Sequence, residues 1–389
     1  MRVGLQFFQR QLLAASALLA SLAIAFASPC AAQDTAPEET SPPTTLEFHS
    51  GFWVNLHLFL YEQSRIALGD IPASASAQAK TQTTVAQSAA PTQSAATTQS
   101  ATPAQSATAA QPATAGQSPA TSALTPAERQ TWNTAVAYYA ADLGRSDLMT
   151  SLDFARIADR LAELETCPDL SGRSKLACTS GLRPDVIRVL ESAAPIYRAH
   201  WWPQDDSANR AWIRQAAPLV AQMGADLAYR LAAIYQQPWP RGRLRVDVTC
   251  YAGAEGAYTT LDPPHVFIAS QDARNRGLYG FEELFHQASK LLTDGVMKEI
   301  ADLCRGRDIP IPRDLETALL YFTTGYAMQH ELAEIRPNDL PYTPYADRFG
   351  LYQGAWSEFD ALLEAYWRPY LEGRLEFDDA IEHVVAGIS

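Results

Sequence analysis

The chain has 389 residues, with 30 basic and 43 acidic side chains and a formal net charge of −13. That balance argues against nucleic acid and anionic lipid as the main partners, a local basic patch aside. The length suggests two domains only until two stretches unsuited to any core are set aside.

The first is the N-terminus, where Arg2 and Arg10 precede LLAASALLASLAIAFA and small residues follow. Residues 1–32 read as a signal peptide, with cleavage after Ala27 or Ala32, and hence as export to the periplasm or the extracellular space. Retention of the segment would leave the protein membrane-associated. A lipobox ending at Cys30 fits less well, because Pro29 precedes it. No later stretch reads as a membrane span, so no stable transmembrane segment is expected after cleavage. Residues 33–46 read as a flexible segment.

FHSGFWVNLHLFLYEQSR then predicts an amphipathic helix over Phe52–Leu68, with Phe52, Leu56, Phe59 and Leu60 at helical spacing and Gly69 and Pro72 as stops. The second unsuitable stretch, 73–123, is built almost wholly of Ala, Ser, Thr, Gln and Pro, with Lys80 its one charge. It cannot offset an ordering cost of about 1–2 kcal/mol per residue, and reads as disordered. Thr125, Pro126 and Glu128 supply a cap, a first-turn proline and a capping-box acid, so a helix starts there. Trp132, Val136, Tyr139 and Leu143 give it an apolar stripe. The helices flanking the low-complexity tract need partners to bury their faces, so they are expected to touch. Residues 47–389 then form a single domain interrupted at 73–123, since loop-closure entropy grows only logarithmically with loop length.

Further helices are predicted over 152–164, 186–200 and 208–235, with Pro195 and Pro218 bending or dividing the last two. The period changes at 243–250, where Leu244, Val246 and Val248 alternate as in a strand; 265–269 reads as a second strand after a turn-rich piece. Helices follow over 281–292, 313–334, 356–371 and 377–385. The fold class is α+β, predominantly helical, with a small sheet and a central site helix. Export permits disulfides. Cys167 and Cys178 frame a Pro, Gly, Ser and Arg rich loop and form the first expected pair, and Cys250 with Cys304 follows by elimination.

The segment GFEELFHQASKLL follows the second strand after a glycine-containing loop. Zinc chemistry on such a helix needs two histidines four apart, to aim both rings at one ion, and a glutamate beside the first to accept a proton from metal-bound water. The positions here are His286, Gln287 and Lys290. HVFIASQDARNRGLYGFEELFHQASK, with HSGFWVNLHLFLYEQ, HWWPQDDSANRAWI, LLYFTTGYAMQHEL and YADRFGLYQGAW, resembles a family of exported bacterial proteins of largely uncharacterised function with a zincin-like core. The resemblance implies a gluzincin-type site, with His286 at the first ligand, Gln287 at the general base, Lys290 at the second ligand and Tyr326 at the third. Three of these four positions depart from the pattern. An amide cannot take water's proton, and loss of a positioned base costs roughly 10²–10⁴ in rate. Lys290 brings a cation where an imidazole would bind one, and Tyr326 is a poor replacement for a carboxylate.

The expectation is therefore a degenerate HExxH site in a metallopeptidase-like pseudoenzyme, with no cofactor, zinc being the alternative. Lys290 would fill part of the metal's space, paired to Glu282, Glu283 or Glu316, and Tyr326 would hydrogen-bond to His286. The resulting cleft would take a peptide, an anionic small ligand or an envelope protein, in a binding or scaffolding role. His200, His330, Arg348 and Tyr352 are further cleft candidates, each weighed against an ordinary packing role; His49, His57 and His265 read as structural. A second reading is a hydrolase or peptidase using His286 with Glu282 and with His330 or Glu331. A third is a structural envelope protein with the low-complexity tract as spacer. There is no GxSxG elbow, P-loop or GxGxxG fingerprint.

Overall fold

The structure, a computed structural model, describes residues 45–71, 124–354 and 356–388. The expected signal peptide and the tract at 73–123 lie outside the described residues.

Four strands form one sheet: β1 (Thr45–His49), β2 (Arg243–Thr249), β3 (Ala257–Leu261) and β4 (Pro264–Ala269), in the order β1-β2-β4-β3. The pairs β1/β2 and β2/β4 are parallel, and β3/β4 is antiparallel. Two strands were not expected. Thr45 and Leu46 belong to β1 rather than to a flexible segment, because parallel pairing joins them to Arg243 and Leu244, far along the chain. The turn-rich piece before His265 contains β3, whose partner is β4.

Alternation along the strands sorts side chains to two cores. Leu244, Val246, Val248, Val266 and Ile268 enter one, with Phe281, Leu284 and Phe285 of the site helix. Tyr258 and Phe267, stacked at 4.5 Å, enter the other. The second core is helical: α1 (Phe52–Leu68), α2 (Pro126–Ala141), α3 (Leu152–Glu163) and α4 (Pro184–His200). α1 is not amphipathic in its setting. Every residue from Trp53 to Glu62 is buried, because α2, α3, α4 and β2 all pack against it. Gly69 ends it in the left-handed conformation, φ 79°, where a Cβ would be disfavoured.

The two helices flanking the tract do touch. Phe59 meets Trp132 at 5.7 Å, and the ring of fully buried His57 pairs through Nδ1 with the Tyr139 hydroxyl at 2.7 Å. Burial drives the His57 pKa down to about 3, so the ring is neutral. The Thr125 capping box forms as expected, with Glu128 reaching back to the Thr125 N–H at 2.9 Å.

The first core is completed by α5 (Trp202–Ile234), α6 (Leu278–Ser289), α7 (Asp294–Gly306), α8 (Leu315–Ile335) and α9 (Phe377–Gly387). α5 runs through Pro218 and α4 through Pro195 without division. α7 was not predicted, although Val296, Ile300 and Cys304 form its buried stripe four residues apart. Cys167 and Cys178 are disulfide-bonded. The second expected pair is not: Cys250 is half-buried beside the second core, Cys304 lies in the first, and neither forms a disulfide among the described residues.

Candidate functional site

α6 places four polar side chains, Glu282, Glu283, His286 and Gln287, in the interior. The helix can start where it does because Gly280 lets its backbone close on Asn275; a Cβ there would lie 2.3 Å from the Asn275 oxygen. Burying polar groups of this kind is costly unless their hydrogen bonds are met inside the protein, and their partners decide what the site can do.

The ring of His286 stacks on Tyr321 of α8, centroids 3.6 Å apart and planes 14° apart. Burial foremost, and then the charge of Lys290, holds His286 well below the usual histidine range, against a backbone hydrogen bond with Leu320. Its Nδ1 has no hydrogen-bond partner among the described residues. Tyr321 donates through its hydroxyl to Glu283 Oε2 at 2.9 Å, and Gln287 Nε2 donates to Glu283 Oε1 at 2.8 Å. Thr259 of β3 donates to both the side-chain and main-chain oxygens of Gln287, at 3.0 and 2.8 Å. Tyr321, Glu283, Gln287 and Thr259 thus form one continuous chain beside the imidazole. Gln287, which the resemblance set at the general base, engages both its amide nitrogen and its amide oxygen within that chain. Burial raises the Glu283 pKa, opposed by Gln287, Tyr321, Lys290 and Arg274.

Lys290 departs from expectation. It caps the end of α6 and opens a 3-10 turn, Lys290–Leu292, and its Nζ lies 3.6 Å from the Met149 sulfur. No carboxylate lies within ion-pair distance of it among the described residues. Burial lowers its pKa, with Glu283, Glu316 and Glu255 acting from further away to raise it. Glu316 instead accepts from Thr293 Oγ1 at 2.8 Å.

Tyr326 also departs. It does not reach His286; its hydroxyl donates to the Leu371 carbonyl at 3.0 Å. The reason is helical phase: five residues turn an α-helix by about 140° beyond a full revolution, so with Tyr321 facing α6, Tyr326 faces away. Gly325 faces α6 as well. A Cβ there would sit 2.7 Å from Pro344 Cβ and 3.3 Å from Glu282 Oε1, so the glycine lets the 336–344 loop close over Glu282. Glu282 accepts from the Tyr342 hydroxyl at 2.7 Å and from the Tyr345 N–H at 2.9 and 3.1 Å. Burial pushes its carboxyl up to about 8, against those two hydrogen bonds.

The remaining candidates scatter. Tyr352 is buried and donates to the Ala318 carbonyl at 2.7 Å, a packing role. Arg348 is exposed. His200 pairs with Glu128 at 3.2 Å beside Trp201, at the corner of α2 and α4. Glu331 lies 3.6 Å from Arg230. His330 packs at a tilt against Tyr326, centroids 4.3 Å and planes 45° apart, and with Tyr326 lines a cavity of ≈ 680 Å³ between α8, the start of α6 and the 336–343 loop. The alternative catalytic set of His286, Glu282, His330 and Glu331 therefore does not assemble.

Zinc, the metal implied by the zincin resemblance, does not fit these donors. His286 faces an aromatic ring and Gln287 is committed to Glu283 and Thr259. Among the described residues, no group of three or more His, Cys, Asp or Glu is placed to hold a metal ion.

A second polar cluster went unrecognised in the sequence. On the second-core side of the sheet, His265 Nε2 meets Asp247 at 2.5 Å, Arg245 spans Asp247 at 2.6 Å and Glu165 at 2.9 Å, and His49 meets Glu165 at 2.9 Å. Burial alone would raise Asp247, but the His265 and Arg245 contacts bring it down to about 2. The alternation of Arg245 and Asp247 with Leu244, Val246 and Val248 was the available signal. No family model, curated protein or solved structure matches this chain.

Proposed function

We propose that this chain is an exported, zincin-related binding protein in which the positions of a metallopeptidase site have been converted to packing. One observation carries the reading: Tyr321, Glu283, Gln287 and Thr259 hydrogen-bond to one another in a continuous chain beside a neutral, stacked His286. Hydrolysis of a peptide at this point would need a water molecule, a base free to accept its proton and an electrophile to polarise the carbonyl. Gln287 is no base, and Glu283 spends both oxygens on neighbours. Binding is the activity compatible with what remains, with the cavity lined by Tyr326 and His330 as its place.

The test is metal content after exposure to zinc and dialysis. The natural full chain should retain far less than one zinc per molecule and cleave no peptide. The triple change Gln287→Glu, Lys290→His and Tyr321→Glu should gain zinc more readily than the same change with Tyr326→Glu. Stoichiometric zinc in the natural protein together with peptidase activity overturns the reading.

A further inference from the structure

The cavity of ≈ 680 Å³ falls within the size range of small-molecule sites, roughly 300–1,000 Å³. Its walls are of two kinds. Leu332 and the ring pair Tyr279 and Tyr342, centroids 5.7 Å apart, make an apolar side. Tyr342 is fixed at both ends: its hydroxyl donates to Glu282 at 2.7 Å and its carbonyl accepts from Gln329 Nε2 at 3.0 Å. The wall is therefore formed in advance, which lowers the ordering cost of binding.

At the rim stands Leu340, 94 % exposed, an apolar side chain that the protein leaves in water at the mouth of its own cavity. The charges are unequal in availability. Arg368 is held by Glu364, and Glu372 by Arg374. Arg336 has no ion pair among the described residues, and Asp339, three residues on, does not approach it within ion-pair distance. A guanidinium with free donors matches a carboxylate bidentately.

We infer that this cavity binds a monocarboxylate with an apolar body, its carboxylate on Arg336 and its body between Leu340 and the Tyr279 and Tyr342 rings. The free acid and the C-terminus of an apolar peptide share that chemistry. The inference rests on the non-catalytic reading of the neighbouring site, and names the ligand class that goes with it.

Calorimetric titration of the full chain with decanoate, decanol, and acetyl-Ala-Leu-Phe as free acid and as amide tests it. Acids should bind at least tenfold tighter than their neutral counterparts. Arg336→Gln should lose about 10–100-fold for acids alone, the range for a charge-assisted hydrogen bond. Asp339→Asn should tighten acids, Leu340→Ser should weaken every probe, and Arg241→Gln, at an exposed position outside the cavity, should change nothing. Binding of decanoate alone assigns a free acid, and binding of the peptide acid alone assigns a chain terminus. Equal binding of acids and neutral analogues, or no saturable binding of any probe, overturns the inference. Cleavage of the peptide would refute the non-catalytic reading alone, because the decanoate comparison involves no cleavable bond.

Discussion

Glu282→Gln separates the chemistry of the buried carboxyl from its packing. Glu282 is fully buried and its pKa is raised from 4.5 to about 8, first by desolvation, with Glu283 and Asp347 adding and Tyr342 and Tyr345 opposing. Between those two values the folded chain keeps a proton that the unfolded chain has released. Its stabilising contribution is thus fully present below pH 4.5 and is lost as pH rises through about 8. The gap between the two values corresponds to an upper limit of about 5 kcal/mol. Glutamine copies the protonated acid: its Nε2–H can donate to the Tyr342 oxygen while Oε1 accepts from the Tyr345 N–H. Urea unfolding at pH 5, 7 and 9 should find the two proteins within about 1 kcal/mol at pH 5, and the variant more stable by about 2–4 kcal/mol at pH 9. A difference that stays constant over that range, or that moves toward the natural protein as pH rises, would refute a carboxyl held neutral by burial.

Other measurements probe the same interior. Tyr321→Phe keeps the ring on His286 but removes the donor to Glu283, so unfolding free energy should fall by about 1–3 kcal/mol; no loss would mean that the hydrogen-bonded chain beside His286 is not a unit. Cys167→Ser opens a disulfide of sequence separation 11, which should cost about 3 kcal/mol on the loop-entropy account. A reductant should produce the same loss in the natural chain and none in the variant, and a reductant-insensitive natural chain would refute the link. Asp247, brought down from 3.8 to about 2, contributes stability that is present above pH 3.8 and lost as pH falls through 2. Acid titration of Asp247→Asn should therefore show a flatter limb between about pH 4 and 2 than the natural protein, and identical limbs would count against the Arg245 and His265 contacts.

What could be read directly was whatever local chemistry dictates. Thr125, Pro126 and Glu128 start a helix because their cap and first-turn geometry involves only neighbours. Gly69 ends one for the same reason. Leu244, Val246 and Val248 declare a strand by period, and Cys167 and Cys178 flank a loop short enough for proximity to follow from chain length. The departures of Gln287 and Lys290 from a metal-binding pattern were equally plain, since spacing on one helical turn fixes which side chains share a face.

Tertiary structure decided everything that depends on a partner distant in the chain. β1 exists because Arg243–Thr249 offers it a ladder, and its own five residues carry no comparable signal. Tyr321, rather than Tyr326, meets His286 because the phase of α8 is set by how it packs on α6, and a one-residue rotation of about 100° would change the answer. Among the described residues Lys290 has no carboxylate within ion-pair distance, and Glu283 and Glu316 accept from Tyr321, Gln287 and Thr293 instead. The charge network from His49 to His265 and the cavity beside Tyr342 are assembled from three or more separate segments, so no local pattern could have joined them. The sequence by itself determined the locally signalled starts and stops, at Thr125, Gly69 and Leu244, and that Gln287 and Lys290 do not complete a two-histidine metal pattern; only packing determined β1, β3 and which side chains face one another, because hydrogen bonds and burial act through space.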